Sequence, residues 1–164
     1  MMKLITQDEI ESIETLYHDL EYFVKRDRSY DAKIIESDLV IPVKIKLLKW
    51  VESKLNLSLN SYDQKFVIMR YKENDYFLRH TDNNYVYGKN RYLVTGFHLN
   101  DNYEGGDYIV YDPYYFIEKE IGVPYVFESK YDHEVKKITK GTRRSVIMFI
   151  NHEDVVSKEN NKLI

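Results

Sequence analysis

Residues 66–83 read FVIMRYKENDYFLRHTDN. Two runs rich in β-branched and aromatic residues, FVIMRY and YFLRH, flank the polar KEND, the texture of two short strands joined by a turn. At the end of the second run His80 and Asp82 stand two residues apart. Residues two apart on an extended strand share a face, so the imidazole and the carboxylate can reach one point in space. That is metal-ligand spacing, and a further histidine, His133, follows 53 positions downstream in YDHEV. The pair alone is a weak motif, since chance supplies about 0.4 His-x-Asp pairs in a chain of this composition. His152 and Asp154 repeat the spacing, but they follow the last strand-like run, have no later histidine, and read as exposed, solvated residues.

The same texture continues through RYLVTGFHL, DYIVYD, PYVF, HEVKKI and RRSVIMFI, and seven or eight short strands predict a sandwich or jelly roll. Gly105 and Gly106 are expected to supply the positive φ angles of a tight hairpin; no helix follows, which argues against a phosphate-cradling loop. Upstream the pattern is helical. Thr6 and Glu9 form a capping box, and Ile10, Ile13, Leu16, Tyr17, Leu20 and Val24 predict a first helix to about Lys25. The charged segment KRDRSYDAK then reads as a loop. Pro42 opens a second helix, with Ile45, Leu48, Val51 and Leu55 as its buried stripe and Trp50 packing at the stripe's edge. The expected layout is one domain over residues 1–164, mainly β with N-terminal helices. Residues 1–60 are its helical brace of two or three helices, and residues 62–150 its jelly-roll core.

Composition narrows the chemistry. A 164-residue chain of 19.8 kDa can bury a core without covalent staples. The net charge of −3 argues against a general polyanion binder, although Lys130, Lys136, Lys137, Lys140, Arg143 and Arg144 make a local basic cluster. Zero cysteines exclude disulfides and thiolate metal sites, leaving histidine and carboxylate as the strong ligands. No run approaches the roughly 18 apolar residues of a membrane span. The N-terminus MMKLITQDEIE turns acidic where a signal peptide needs its apolar core, so a cytoplasmic or otherwise intracellular protein with no membrane partner is expected.

Two imidazoles with one carboxylate make the facial triad of non-haem iron(II) oxygenases. Around that triad the segments RYKENDYFLRHTD, NRYLVTGFHLNDNYEGGDYIVY and HEVKKITKGTRRSVIMFI resemble the prolyl 4-hydroxylase type of iron(II)/2-oxoglutarate-dependent dioxygenases, over Phe66 to Ile150. The resemblance implies a double-stranded β-helix, a jelly-roll barrel, with Fe(II) held by His80, Asp82 and His133. It also implies 2-oxoglutarate and O2 as cosubstrates, and it admits ascorbate. Arg143, ten residues after His133, stands where the family carries the cation that anchors 2-oxoglutarate. Alternation places Arg143, Ser145, Ile147 and Phe149 on one face, so Arg143 and Ser145 can grip one carboxylate while Arg144 points outward. Tyr71 matches a tyrosine that bonds the cosubstrate, with simple barrel packing as the other reading. His98 stands where relatives carry a tyrosine; it assists the same carboxylate by hydrogen bonding or is a satisfied core histidine. Asp107 replaces the family's glutamate.

The substrate is less legible. Tyr85 and Tyr87, in NNYVYGKN, suit stacking on a proline ring or merely cap the barrel. The resemblance implies hydroxylation of a prolyl residue of a protein or peptide, with 2-oxoglutarate decarboxylated to succinate. The alternatives are the same chemistry on a lysyl side chain or an alkylated nucleic-acid base, a cupin-like jelly roll with other chemistry, and a catalytically inactive metal-binding module. Oligomeric state is not readable.

Overall fold

The computed structural model describes residues 2–83, 85–86 and 89–156, with the backbone alone at 85, 86 and 89. Its helices are α1 (Gln7–Glu14) and α2 (Ile41–Leu55). The strands are β1 (Glu21–Lys25), β2 (Arg28–Ile34), β3 (Ser58–Leu59), β4 (Val67–Tyr71), β5 (Tyr76–His80), β6 (Tyr85–Val86), β7 (Lys89–His98) and β8 (Glu104–Gly105). They continue with β9 (Tyr108–Val110), β10 (Tyr115–Ile117), β11 (Tyr125–Glu128), β12 (His133–Val135), β13 (Ile138–Lys140), β14 (Arg143–Asn151) and β15 (Val155–Val156). Antiparallel pairing gives the order β10-β9-β12-β5-β2-β4-β14-β7-β11, with β1 added to β2 and β6 to β7. This sheet rolls into a nearly closed barrel, the jelly-roll fold expected from strand texture. Among the described residues no helix is long and apolar enough to cross a membrane.

Alternation divides each central strand between two cores. From β14, Val146, Met148 and Ile150 join Ile68, Leu93 and Phe97 against Leu47, Leu48 and Val51 of α2 and Ile10 and Ile13 of α1. On its other face Ile147 joins Met69, Tyr71, Val94, Tyr108, Tyr125 and Phe127 inside the barrel. The helices therefore brace the outside of one wall and leave the interior to the site. Pro42 sits in the first turn of α2. The buried stripe of that helix is Val43, Leu47, Leu48 and Val51, rotated slightly from the expected one, with Trp50 at its margin.

Three expectations need correcting. The first helix has its capping box, but it ends at Glu14 instead of continuing to Lys25. The chain turns at Asp19, where φ is +65°, and EYFVK becomes β1 because its β-branched and aromatic residues pair with β2. The segment read as a charged loop is largely β2. Its charge misled because Asp31, 1% exposed, is neutralised across the sheet by Arg70, with Nε donating at 2.7 Å. Gly105 and Gly106 do have positive φ (+74° and +67°), yet they form no hairpin. β8 pairs with β13 whereas β9 pairs with β10 and β12, so the glycines turn a corner between sheets. A Cβ on Gly105 would lie 2.4 Å from the Lys137 carbonyl oxygen.

Candidate metal centre

β5 and β12 run side by side with His80 directly opposite His133. Asp82 lies just past the end of β5, and its N–H donates to the Ser129 carbonyl at 2.9 Å. One ligand atom from each of His80, Asp82 and His133 lies within 4.8 Å of the others. His133 Nε2 is 2.7 Å from Asp82 Oδ2, and His80 Nε2 is 3.6 Å from Asp82 Oδ1. The Nδ1 of each ring faces a carbonyl two residues earlier, Leu78 at 2.6 Å and Tyr131 at 2.9 Å. A carbonyl can only accept, so each Nδ1 carries a proton and each Nε2 points inward at Asp82. His133 Nε2 hydrogen-bonds Asp82 across the cluster, and a shared cation would take the place of that bond. Phe77 stacks on His80 with centroids 3.6 Å apart, and Phe127 meets His133 edge-on at 4.9 Å, fixing both rings.

The electrostatics suit a ligand set. Burial pushes the Asp82 carboxyl up, but the hydrogen bond from His133 and the fields of His133, His80 and Arg91 outweigh it and hold it below its ordinary value. Burial drives His80 below the usual histidine value against the pull of Asp82, so its imidazole is neutral and its lone pair available.

Arg143, 1% exposed, projects from β14 into the same pocket and donates from Nη1 to Ser145 Oγ at 3.3 Å. Its guanidinium lies 5.1 Å from the Tyr71 ring centre and 5.2 Å from that of Tyr108. Tyr71 is opposite Arg143 on β4, and His98 is opposite Ser145 on β7. Arg143 Nε, Tyr71 Oη and both ring nitrogens of His98 are buried without a hydrogen-bond partner. Burial, with Arg143 and Lys119 nearby, pushes His98 down to about 3, so it is neutral. His98 stands behind the pocket wall; Tyr71, Arg143, Ser145 and the three-residue cluster line it. Arg144 turns outward to Glu14, with Nε 3.0 Å from Oε2.

The decoy pair is elsewhere: His152 and Asp154 occupy a 3-10 turn, where the exposed His152 stacks on Tyr92. Tyr87 lies outside the described residues, as does the side chain of Tyr85, whose backbone pairs with Asn90. Sequence reading missed Arg28, Arg91 and Tyr125, all on the pocket wall, whereas Phe149 shares the inward face with Arg143 and Ser145 as alternation requires. Arg91 Nη1 is 3.8 Å from Asp82 Oδ1, and its guanidinium lies 3.7 Å over Phe149. The one signal for Tyr125 is the mid-strand glycine of TGF, because a Cβ on Gly96 would lie 2.7 Å from Tyr125 Oη.

The family described as the 2OG-Fe(II) oxygenase superfamily matches residues 66–151, just over half of the chain. No curated protein matches. Among solved structures, a prolyl-4-hydroxylase from Pseudomonas putida is 17% identical over 91% of this chain and 89% of its own, with a TM-score of 0.73. A viral collagen prolyl hydroxylase from Paramecium bursaria Chlorella virus-1, in complex with 2-oxoglutarate, is 14% identical over 92% of this chain and 93% of its own, with a TM-score of 0.75. A Trichoplax adhaerens prolyl hydroxylase, bound to a hypoxia inducible factor peptide fragment, is 18% identical over 94% and 83%, with a TM-score of 0.72.

Proposed function

As the chain belongs to the 2OG-Fe(II) oxygenase superfamily, we propose that it hydroxylates a prolyl residue of a protein or peptide, with His80, Asp82 and His133 as its iron(II) ligands. The chain is a 2-oxoglutarate-dependent dioxygenase, and its cofactors are Fe(II), 2-oxoglutarate and O2. When bound, iron(II) and 2-oxoglutarate supply the oxidation by O2 of an unactivated C–H bond to C–OH, the cosubstrate ending as succinate and carbon dioxide.

One observation carries the residue assignments. A single pocket has the histidine and aspartate cluster on one wall and a buried arginine among unpartnered polar atoms on another. A buried guanidinium that meets no carboxylate among the described residues is costly, and a bound dicarboxylate would satisfy it with paired charge-assisted bonds. In this proposal Arg143 and Ser145 receive the far carboxylate, Tyr71 donates its phenol to the cosubstrate, and His98 tunes that end from behind the wall. The Nε2 atoms of His80 and His133 would hold the metal face, and Phe77, Tyr108, Tyr125 and Phe127 would exclude water around it.

The prolyl assignment draws on the three prolyl hydroxylases of similar fold, one of them bound to a peptide, and on the aromatic wall that suits a proline ring. Tyr85 and Tyr87 are proposed to stack on that ring. Incubation with iron(II), 2-oxoglutarate and a panel of proline-containing peptides tests it, read by mass spectrometry and succinate release. One oxygen gained on proline per succinate is the expected result. Oxygen found only on lysine or on a nucleobase would discard the prolyl substrate and keep the dioxygenase chemistry.

A further inference from the structure

Beside the metal pocket runs a second, larger groove lined mostly by polar residues, and Val67, Arg91 and Phe149 line both. A molecule whose reacting carbon lies at the cluster can therefore continue past Phe149 into the groove without leaving the surface. Its lining combines the amides of Asn60, Gln64 and Asn151 with the carboxylates of Asp63, Glu153 and Asp154. Among the described residues no lysine or arginine pairs with any of the three carboxylates. Lys65, the other cation of the groove, reaches Glu36 at 3.6 Å, and Arg91 faces Asp82. Among the described residues the three carboxylates accept hydrogen bonds from neutral groups alone: the Ser61 hydroxyl on Asp63, the Asn90 N–H on Glu153 and the Asn151 N–H on Asp154.

Gln64 is the independent sign of a ligand. It is 5% exposed on the groove wall, and its Nε2 donates to the Ser61 carbonyl at 3.3 Å, which fixes the orientation of the amide. Its Oε1 is then an acceptor with no donor. Buried acceptors of this kind are rare because an unmade hydrogen bond costs the desolvation of the group. A peptide backbone N–H or a cationic side chain supplies the missing donor. A phosphate backbone does not, and the carboxylates would repel it.

Resting on the peptide reading above, we propose that this groove docks the segment of the substrate flanking the oxidised residue, and that the segment carries a basic side chain facing Asp63 and Glu153. The groove thus sets a charge preference at a distance from the chemistry.

The test uses the full chain loaded with iron(II) and 2-oxoglutarate, and fluorescent peptides identical except for Lys, Gln or Glu at the positions flanking one proline. Binding is read by anisotropy without oxygen, and hydroxylation by mass spectrometry with it. The Lys peptide should bind about fivefold more tightly than the Glu peptide, the scale of a pair of exposed ion pairs. The Asp63→Asn, Glu153→Gln double variant should erase that difference while leaving peptide-independent succinate formation unchanged. Equal binding of all peptides, or a Lys preference that survives in the double variant, overturns the groove assignment. Charge-independent binding with hydroxylated proline would overturn the groove and leave the prolyl reading standing. A Lys preference erased by the double variant, with oxygen on no peptide, supports the groove and overturns the prolyl reading.

Discussion

Arg143 and Arg144 are adjacent in sequence and meet opposite environments, one sealed in the barrel beside Ser145, the other bonded to Glu14 on the helical face. Strand alternation alone separates them, which is why the distinction is legible in the sequence. Arg143→Ala should raise the 2-oxoglutarate concentration giving half-maximal succinate formation by about ten- to hundredfold, the loss of roughly 1.5–3 kcal/mol of charge-assisted bonding. Arg144→Ala should leave that concentration unchanged and cost about 1 kcal/mol of stability or less, since its ion pair is part-exposed. Equal effects on cosubstrate affinity would refute the division. Among the histidines, His80→Ala and His133→Ala should abolish stoichiometric iron binding measured on the purified protein, as should Asp82→Ala. His152→Ala should keep it, since that ring stacks on Tyr92. Retained iron in the His133 variant would disprove the ligand set.

At the scale of elements, β4, β5, β7, β9, β11, β12 and β14 are legible because each is a short run rich in β-branched and aromatic residues bounded by turn chemistry, whereas the two- and three-residue β6, β8 and β10 are too short to carry that texture. The N-terminal segment was less so. Its helical periodicity from Ile10 to Val24 competes with β-branched residues that find partners on β2, and nothing local announces that pairing. Likewise Asp31 looks like a solvated charge until Arg70 is known to lie across from it. Arg91 and Tyr125 belong to the pocket through contacts distant in sequence, which periodicity cannot reveal. The helical brace makes its own predictions. Leu47 is fully buried between α2 and the sheet, so Leu47→Ala should cost about 2–5 kcal/mol, read as a fall in the urea midpoint. Glu9 caps α1 and receives Lys46 Nζ at 2.6 Å. Burial raises its carboxyl, but the bonds from Lys46 and Thr6 prevail and hold it below its ordinary value of 4.5. A depressed carboxyl contributes stability above pH 4.5 that is lost as pH falls through the folded-state value. Lys46→Met should therefore flatten the acid-side decline in urea stability, and an unchanged slope would show that the pair is energetically silent.

Across the whole molecule, the unpartnered atoms around Arg143 and the buried, converging ligand atoms of the metal cluster make two separable costs of the folded state. Ligands that relieve them should stabilise it by mass action, by about 2.7 kcal/mol at a hundredfold excess over the dissociation constant. For a chain of this size that is roughly 5–10 °C in melting temperature. In the Arg143→Ala variant the rise from 2-oxoglutarate should shrink to about half or less at the same concentration while the rise from iron(II) remains, and a variant losing both would mean that the two sites are one cooperative unit. The strands that carry these sites are not equally secured. β14 is paired on one edge with β4 from Arg143 to Ile147 and on the other with β7 from Ser145 to Asn151. β12, which carries His133, spans three residues. Local opening follows the weakest pairing, so deuterium should enter the amides of residues 133–135 well before those of 145–149, and protection of the former should depend on bound metal. The protein would then lose its grip on iron by fluctuations that leave the arginine in place, making metal exchange faster than any loosening of the barrel wall behind it.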